Sequence, residues 1–162
     1  MINFFNEDCT EETSASLFGL CDEESGRPAY IDTENQDTWI AEVINKEKKT
    51  VEFVAVDNCI EVLEENGDMA KRCDGLLIYE QNLVFVELKR IRKNWVKDGI
   101  EQLKTTIAHF KANNDDGADF SRKRAFLANS KHPQFKYSHK QEMQSFFNET
   151  GFRLSIVNKI NV

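Results

Sequence analysis

Residues 75–89 hold two apolar runs, Gly75-Leu76-Leu77-Ile78-Tyr79 and Leu83-Val84-Phe85-Val86-Glu87-Leu88-Lys89, divided by a short polar turn at Gln81-Asn82. Short runs rich in β-branched and aromatic residues, bounded by turn formers, read as strands, and two this close pair as a hairpin. Leu83 to Val86 is apolar at every position rather than at alternate ones, as in a strand covered on both faces. The chain must therefore supply a packing layer on each side of that strand. A one-sided sheet and a pure helical bundle are both excluded.

The remaining sequence indicates what those layers contain. Asp37-Thr38 can cap a short helix running to about Asn45, with Trp39, Ile40, Val43 and Ile44 as its apolar stripe. Val51 to Val56 alternates and is β-branched, a strand that Ile60-Glu61-Val62-Leu63 would extend, and Asn66-Gly67 is a turn. Ile100, Leu103, Ile107 and Phe110 recur at helical spacing over Trp95 to Ala112, and Asn113 to Gly117 ends that helix. A strand follows at Arg124–Ala128, then a helix over Ser138–Thr150 stopped by Gly151, then a last strand from Phe152 to Val157 that can run toward Val162. The order predicts an α/β fold, a mixed central sheet flanked by helices. Residues 1–27 are acidic apart from the island Leu17-Phe18-Gly19-Leu20 and close at Gly26-Arg27-Pro28. They read as a peripheral N-terminal arm, with residues 28–162 as the domain.

Several classes of function can be set aside. No apolar run approaches the roughly 20 residues of a membrane helix, and Met1 to Phe5 lacks the basic start of a secretory signal. The expectation is a cytoplasmic setting without a membrane. Cys9, Cys21, Cys59 and Cys73 form no C-x-x-C pair, so reduced, buried thiols are expected. His109, His132 and His139 show no ligand spacing. The net charge of −7 splits unevenly, into −14 over residues 1–70 and +7 over residues 71–162. Because screening confines such fields to about 10 Å, the basic half can meet phosphate while the other stays acidic. Mutual attraction of the two halves is the alternative use of the same asymmetry.

The chemistry is concentrated in the hairpin. Glu87 and Lys89, two apart on a strand, project from one face at the end of an apolar run. With Gln81-Asn82 as the turn, Asp74 lies opposite Lys89, so Asp74, Glu87 and Lys89 gather at one sheet end. Two carboxylates and one ammonium on a rigid sheet suit a Mg²⁺ or Mn²⁺ site for phosphodiester cleavage. Such ions take one or two carboxylates and keep several waters, and a nearby lysine stabilises the charge of the transition state. Arg90, Arg92, Lys93 and Lys97, with Trp95 among them, follow the motif. Arg122 and Lys123 open the next strand. Both groups are candidates to grip nucleic-acid phosphates, with Trp95 to stack a base.

An aspartate opening one strand and Glu87-Leu88-Lys89 closing the next, followed by a long helix, resembles the PD-(D/E)xK (restriction-endonuclease-like) nuclease superfamily. Its core order of helix, three strands, helix and strand is similar to that of residues 37–162. The resemblance implies a metal-dependent nuclease, with DNA as the expected substrate, of the repair or phage-defence kind. Asp74 and Glu87 would be the metal ligands and Lys89 a catalytic residue. Gly99-Ile100-Glu101-Gln102 resembles the Gly-x-x-Gln element of the RecB-like branch and adds Gln102 to the site, although Thr106 replaces the tyrosine that often follows. Cys73 replaces the usual proline. Glu42, in the expected first helix, and Asp57, past the first strand, are candidates for further site carboxylates. The same fold without activity implies an interaction module with a protein partner, and many such nucleases act as homodimers.

Overall fold

The hairpin forms where the two apolar runs place it. β6 (Gly75–Tyr79) and β7 (Asn82–Lys89) pair antiparallel from Gly75↔Val86 to Tyr79↔Asn82. The loop is Glu80-Gln81 rather than Gln81-Asn82, with Glu80 in the left-handed region at φ 51°, as a tight hairpin requires. The observed register sets Leu83 against Ile78, Val84 against Leu77 and Phe85 against Leu76. The register expected from the turn would have opposed Glu87 to Leu76. Apolar pairing decides between them.

The structure, a computed structural model, describes residues 1–162 apart from Glu24 and residues 132–138. His132 and the expected helix start at Ser138 lie outside the described residues. In chain order the other elements are β1 (Thr10–Thr13), β2 (Leu17–Cys21), β3 (Tyr30–Asp32), β4 (Ala41–Ile44), β5 (Val51–Ala55), α1 (Trp95–Asn113), β8 (Arg122–Asn129), α2 (Lys140–Thr150), β9 (Arg153–Ile156) and β10 (Lys159–Asn161). The main sheet runs β1-β5-β6-β7-β8-β9 and the second β10-β4-β2-β3. β1, β5, β6 and β7 are successively antiparallel, while β8 and β9 run parallel to β7. Crossover through α1 and α2 makes this possible.

Because β7 is apolar on both faces, it carries a core on each side. On one face Leu76, Leu83 and Phe85 pack against Ile100, Leu103, Ile107 and Phe110 of α1 and Phe146 of α2. On the other, Leu77, Val84, Val86 and Phe126 meet Phe18, Leu20, Val43 and Ile160 of the second sheet. The fold is thus mixed α/β, with helices on one face only and a second sheet where flanking helices were expected.

Four expectations change accordingly. The helix expected over 37–45 is a 3-10 turn at Gln36–Thr38 followed by β4. β4 pairs with β2 and β10, and β-branched Val43 and Ile44 favour that pairing. Trp39 lies over Gly19, where an added Cβ would fall 2.0 Å from the indole. The acidic stretch 1–27 is not peripheral: β1 joins the main sheet, β2 lies inside the second, and Phe4, Phe18 and Leu20 are fully buried. Cys9 and Cys59 are joined in a disulfide instead of being reduced thiols, while Cys21 and Cys73 are free and buried. Ile60–Leu63 adds no strand beyond an isolated bridge from Leu63 to Met69.

Candidate metal centre

Asp74 sits immediately before β6, and Glu87 and Lys89 end β7. The Val56 N–H donates to the Asp74 carbonyl at 2.9 Å, continuing the β5–β6 ladder past its last strand pair. Each carboxylate is then held by the backbone of the neighbouring strand. The Leu88 N–H donates to Asp74 Oδ2 at 2.7 Å, and the Asp74 N–H donates to Glu87 Oε2 at 3.1 Å. The shift in hairpin register leaves side-chain parity intact, so Asp74 and Glu87 continue the rows of Leu76 and Phe85 on the α1 face. Asp74 is 6% exposed and Glu87 3%.

Lys89 lies beside them, its Nζ 3.4 Å from Glu87 Oε1. The same ammonium donates to Gln102 Oε1 on α1. Gln102 Nε2 donates to the Arg72 carbonyl at 3.0 Å, and Thr106 accepts the Cys73 N–H at 2.8 Å while donating to the Gln102 carbonyl. The helix is thereby fastened to the strand ends on both sides of Asp74. Gly99 permits this approach, because a Cβ there would meet Leu127 Cδ1 at 2.5 Å. The Gly-x-x-Gln spacing therefore has a physical reading here: the glycine brings α1 close, and the glutamine one turn later reaches Lys89.

Burial governs the electrostatics. Asp74 is pushed up to about 7, first by burial and then by the charge of Asp22; the Leu88 N–H opposes this and Asp57 adds to it. Glu87 is pushed well above the ordinary carboxylate range by burial and then by Asp74, with Lys89 opposing. The two side chains are coupled: Asp74 raises Glu87, and Glu87 lowers Asp74. Burial also raises the Cys73 thiol, which keeps it protonated.

Not every expected residue joins this cluster. Asp57 follows β5 and pairs with Arg72 Nη2 at 3.0 Å, close enough to be felt at Asp74. Glu42 lies on β4 in the second sheet, with its carboxylate 3.9 Å from Lys159. The acidic neighbour supplied by the N-terminal part of the chain is instead Asp22, just past β2. Sequence reasoning missed it because Leu17–Leu20 was read as an arm; read as a strand, the same run would have marked the acid at its end. Arg90, Arg92, Lys93 and Lys97 are exposed beyond β7, and Arg90 Nη1 donates to the Asp22 carbonyl at 2.9 Å. Trp95 is 7% exposed and packs in the core, so it offers no stacking face. Arg122 lies opposite Asn82, whereas Lys89 lies opposite Asn129. Glu87 lies opposite Leu127, so five and four residues of strand, about 13–17 Å, separate Arg122 and Lys123 from the carboxylates.

The donor set fits a hard divalent cation. Two buried carboxyls face one lysine, and when ionised they carry more charge than it neutralises. Such a pair is costly in an apolar setting unless a cation completes it. Among the described residues no group of three or more His, Cys, Asp or Glu side chains is placed to hold a metal, and Mg²⁺ requires only one or two protein carboxylates. No protein-family model, curated protein or solved structure matches the chain.

Proposed function

We propose that the chain is a metal-dependent nuclease, hydrolysing phosphodiester bonds at Asp74, Glu87 and Lys89. The observation that carries this reading is the buried Asp74–Glu87 carboxyl pair, held by strand backbone beside Lys89. A structural salt bridge needs one acid per base, and a second buried acid makes ionising the pair costly in the resting protein. Perturbed, closely coupled carboxyls of this kind are what an ion-binding catalytic site requires. The meander β5-β6-β7, the helix α1 and the parallel β8 also follow the order of the nuclease superfamily that the sequence resembles. A second sheet stands in place of that family's first helix.

Asp74 and Glu87 would hold Mg²⁺ or Mn²⁺. Such an ion neutralises phosphate charge and makes its water a better nucleophile at neutral pH. The chain's own residues do the rest. Gln102 fixes the Lys89 ammonium beside Glu87, where it can stabilise negative charge building on the phosphoryl group. Arg90, Arg92, Lys93 and Lys97 supply the electrostatic attraction for a polyanion at this end of an otherwise acidic protein.

Isothermal titration of Mn²⁺ into the chain and into Glu87→Gln tests the site. The expected result is saturable binding that the substitution removes, with cleavage of at least one of single-stranded, duplex, nicked or branched DNA, or RNA. Unchanged Mn²⁺ binding in Glu87→Gln would remove Glu87 from the site. A full substrate panel left intact by metal-loaded protein would reduce the reading to a nuclease-like interaction module.

A further inference from the structure

At the same end of the sandwich, on the side of the main sheet away from α1, a cleft of about 390 Å³ opens between the two sheets. Tyr30 and Trp39 come to it from the second sheet, and Arg90, Ser130 and Lys131 from the chain just past β7 and β8. The polar tips of both aromatic side chains are already engaged. The Tyr30 hydroxyl donates to Glu23 Oε1 at 2.9 Å, and Trp39 Nε1 donates to Asp32 Oδ2 at 2.7 Å. These bonds fix the rings, so that what they offer a ligand is ring surface. Arg90 and Lys131 are exposed cations. Asp37 also lines the cleft and provides acceptors for N–H groups.

Three carboxylates line the cleft, Asp22, Glu23 (engaged by Tyr30) and Asp37, beside two exposed cations at its mouth. With the aromatic surface they match a flat heterocycle that bears N–H donors, its phosphate lying outward on Arg90 and Lys131. The cleft lies at the same sheet end as the candidate metal centre, on the opposite face of the main sheet, and the backbone links the two. Arg90 directly follows Lys89, the Ser130 N–H donates to the Lys89 carbonyl at 3.0 Å, and Arg90 holds the Asp22 carbonyl. Asp22 borders the cleft and is felt at Asp74. A polymer chain crossing this sheet end would thus meet both places.

We infer that the cleft receives an unpaired nucleotide next to the phosphate held at Asp74 and Glu87, its base against Tyr30 and Trp39 and its phosphate on Arg90 and Lys131. The substrate is then a single strand, or the unpaired end or flap of a duplex. A base inside a duplex has both faces stacked and its edge paired, so it cannot enter. This inference rests on the nuclease reading for its neighbouring phosphate, and it is tested separately from cleavage.

Trp39 and Trp95 are the chain's two tryptophans, so Trp95→Phe leaves Trp39 as the sole indole reporter. That variant is titrated in EDTA with single-stranded DNA and RNA hexamers and with a blunt duplex of the same sequence. The expected result is saturable quenching by a single strand, none by the duplex, and apparent affinity lowered about tenfold or more when Arg90→Ala and Lys131→Ala are added. Both added sites are exposed, and the strand-versus-duplex contrast is repeated on the unsubstituted chain. Silence toward both hexamers, equal quenching by the duplex, or indifference to the two substitutions would overturn the cleft. Quenching without cleavage in Mn²⁺ keeps the cleft and removes the nuclease; cleavage of blunt duplex with Trp39 silent does the reverse.

Discussion

Lys89 and its two acidic neighbours make opposite demands on stability and on chemistry. Protonated lysine has no lone pair for a metal, so Lys89→Ala should leave Mn²⁺ affinity intact or slightly tighter. It should lower cleavage about 10²-fold or more, the scale of losing one transition-state stabiliser. Parallel calorimetry and single-turnover assays check this, and an equal fall in both would make Lys89 a structural counter-ion. Asp74 adds a pH dependence whose sign follows from its raised pKa. The unfolded chain gives up this proton near pH 4, whereas the folded chain keeps it until about 7. The associated stability is complete below about pH 4 and is lost as pH rises to about 7, by at most about 4 kcal/mol. Urea unfolding in EDTA from pH 4.5 to 7.5 should therefore show a falling midpoint whose slope Asp74→Asn reduces, Glu87 supplying the remainder. Added Mn²⁺ should restore stability most at the upper end, where the carboxylates are ionised.

Elements whose signals are local were legible, and those that depend on distant pairing were not. β6, β7 and α1 stand close to the expected bounds because hairpin and helix periodicity are written in consecutive residues. β4 was not legible, since Trp39 to Ile44 carries an apolar spacing that a helix could also use. What decides it is β2, some twenty residues earlier, with Gly19 open to Trp39. The candidate site was legible for the same reason as the hairpin: Asp74, Glu87 and Lys89 belong to its two strands, and the register error was even, so it preserved the face. The placing of Arg122 failed because parallel pairing with β7 sends the start of β8 to the far sheet end. α1 offers a direct test of how an element sets the site. Gly99→Val would drive methyl groups into Leu127, which is fully buried, and overpacking of this kind costs about 1–3 kcal/mol. The displaced helix should also carry Gln102 away from Lys89 and reduce cleavage more than metal binding. Leu127→Ala in the same chain should recover part of both losses; no recovery would show that the defect lies in the helix itself.

For the molecule as a whole, the two sheets make the acidic and basic halves of the sequence one folding unit. Among the described residues, Lys159 with Glu42 at 3.9 Å and Lys49 with Glu80 at 3.7 Å pair across the halves near the surface, and Arg72 with Asp57 at 3.0 Å is more sheltered. Exposed pairs contribute about 0–1 kcal/mol each. What joins the halves is apolar contact across the sandwich; the Cys9–Cys59 disulfide, whose pairing no spacing in the sequence signalled, ties the acidic half to itself. The N-terminal residues that looked dispensable are part of this joint. Phe4 packs edge-on against Phe110 of α1, with ring centroids 5.4 Å apart. Phe18 and Leu20 fill the space between the sheets, and β2 carries both β3 and β4. Burying a large apolar side chain contributes about 1.5–3 kcal/mol, so these three alone approach the roughly 5–15 kcal/mol by which a domain is stable. Deleting residues 1–27 also removes Cys9 and Asp22, and leaves β4 without its central partner and Leu77, Val84 and Val86 without part of their cover. The truncated chain should show no cooperative urea transition and should bind a hydrophobic dye at neutral pH. A sharp transition with a midpoint near that of the full chain would mean that the main sheet and its helices fold without the N-terminal strands.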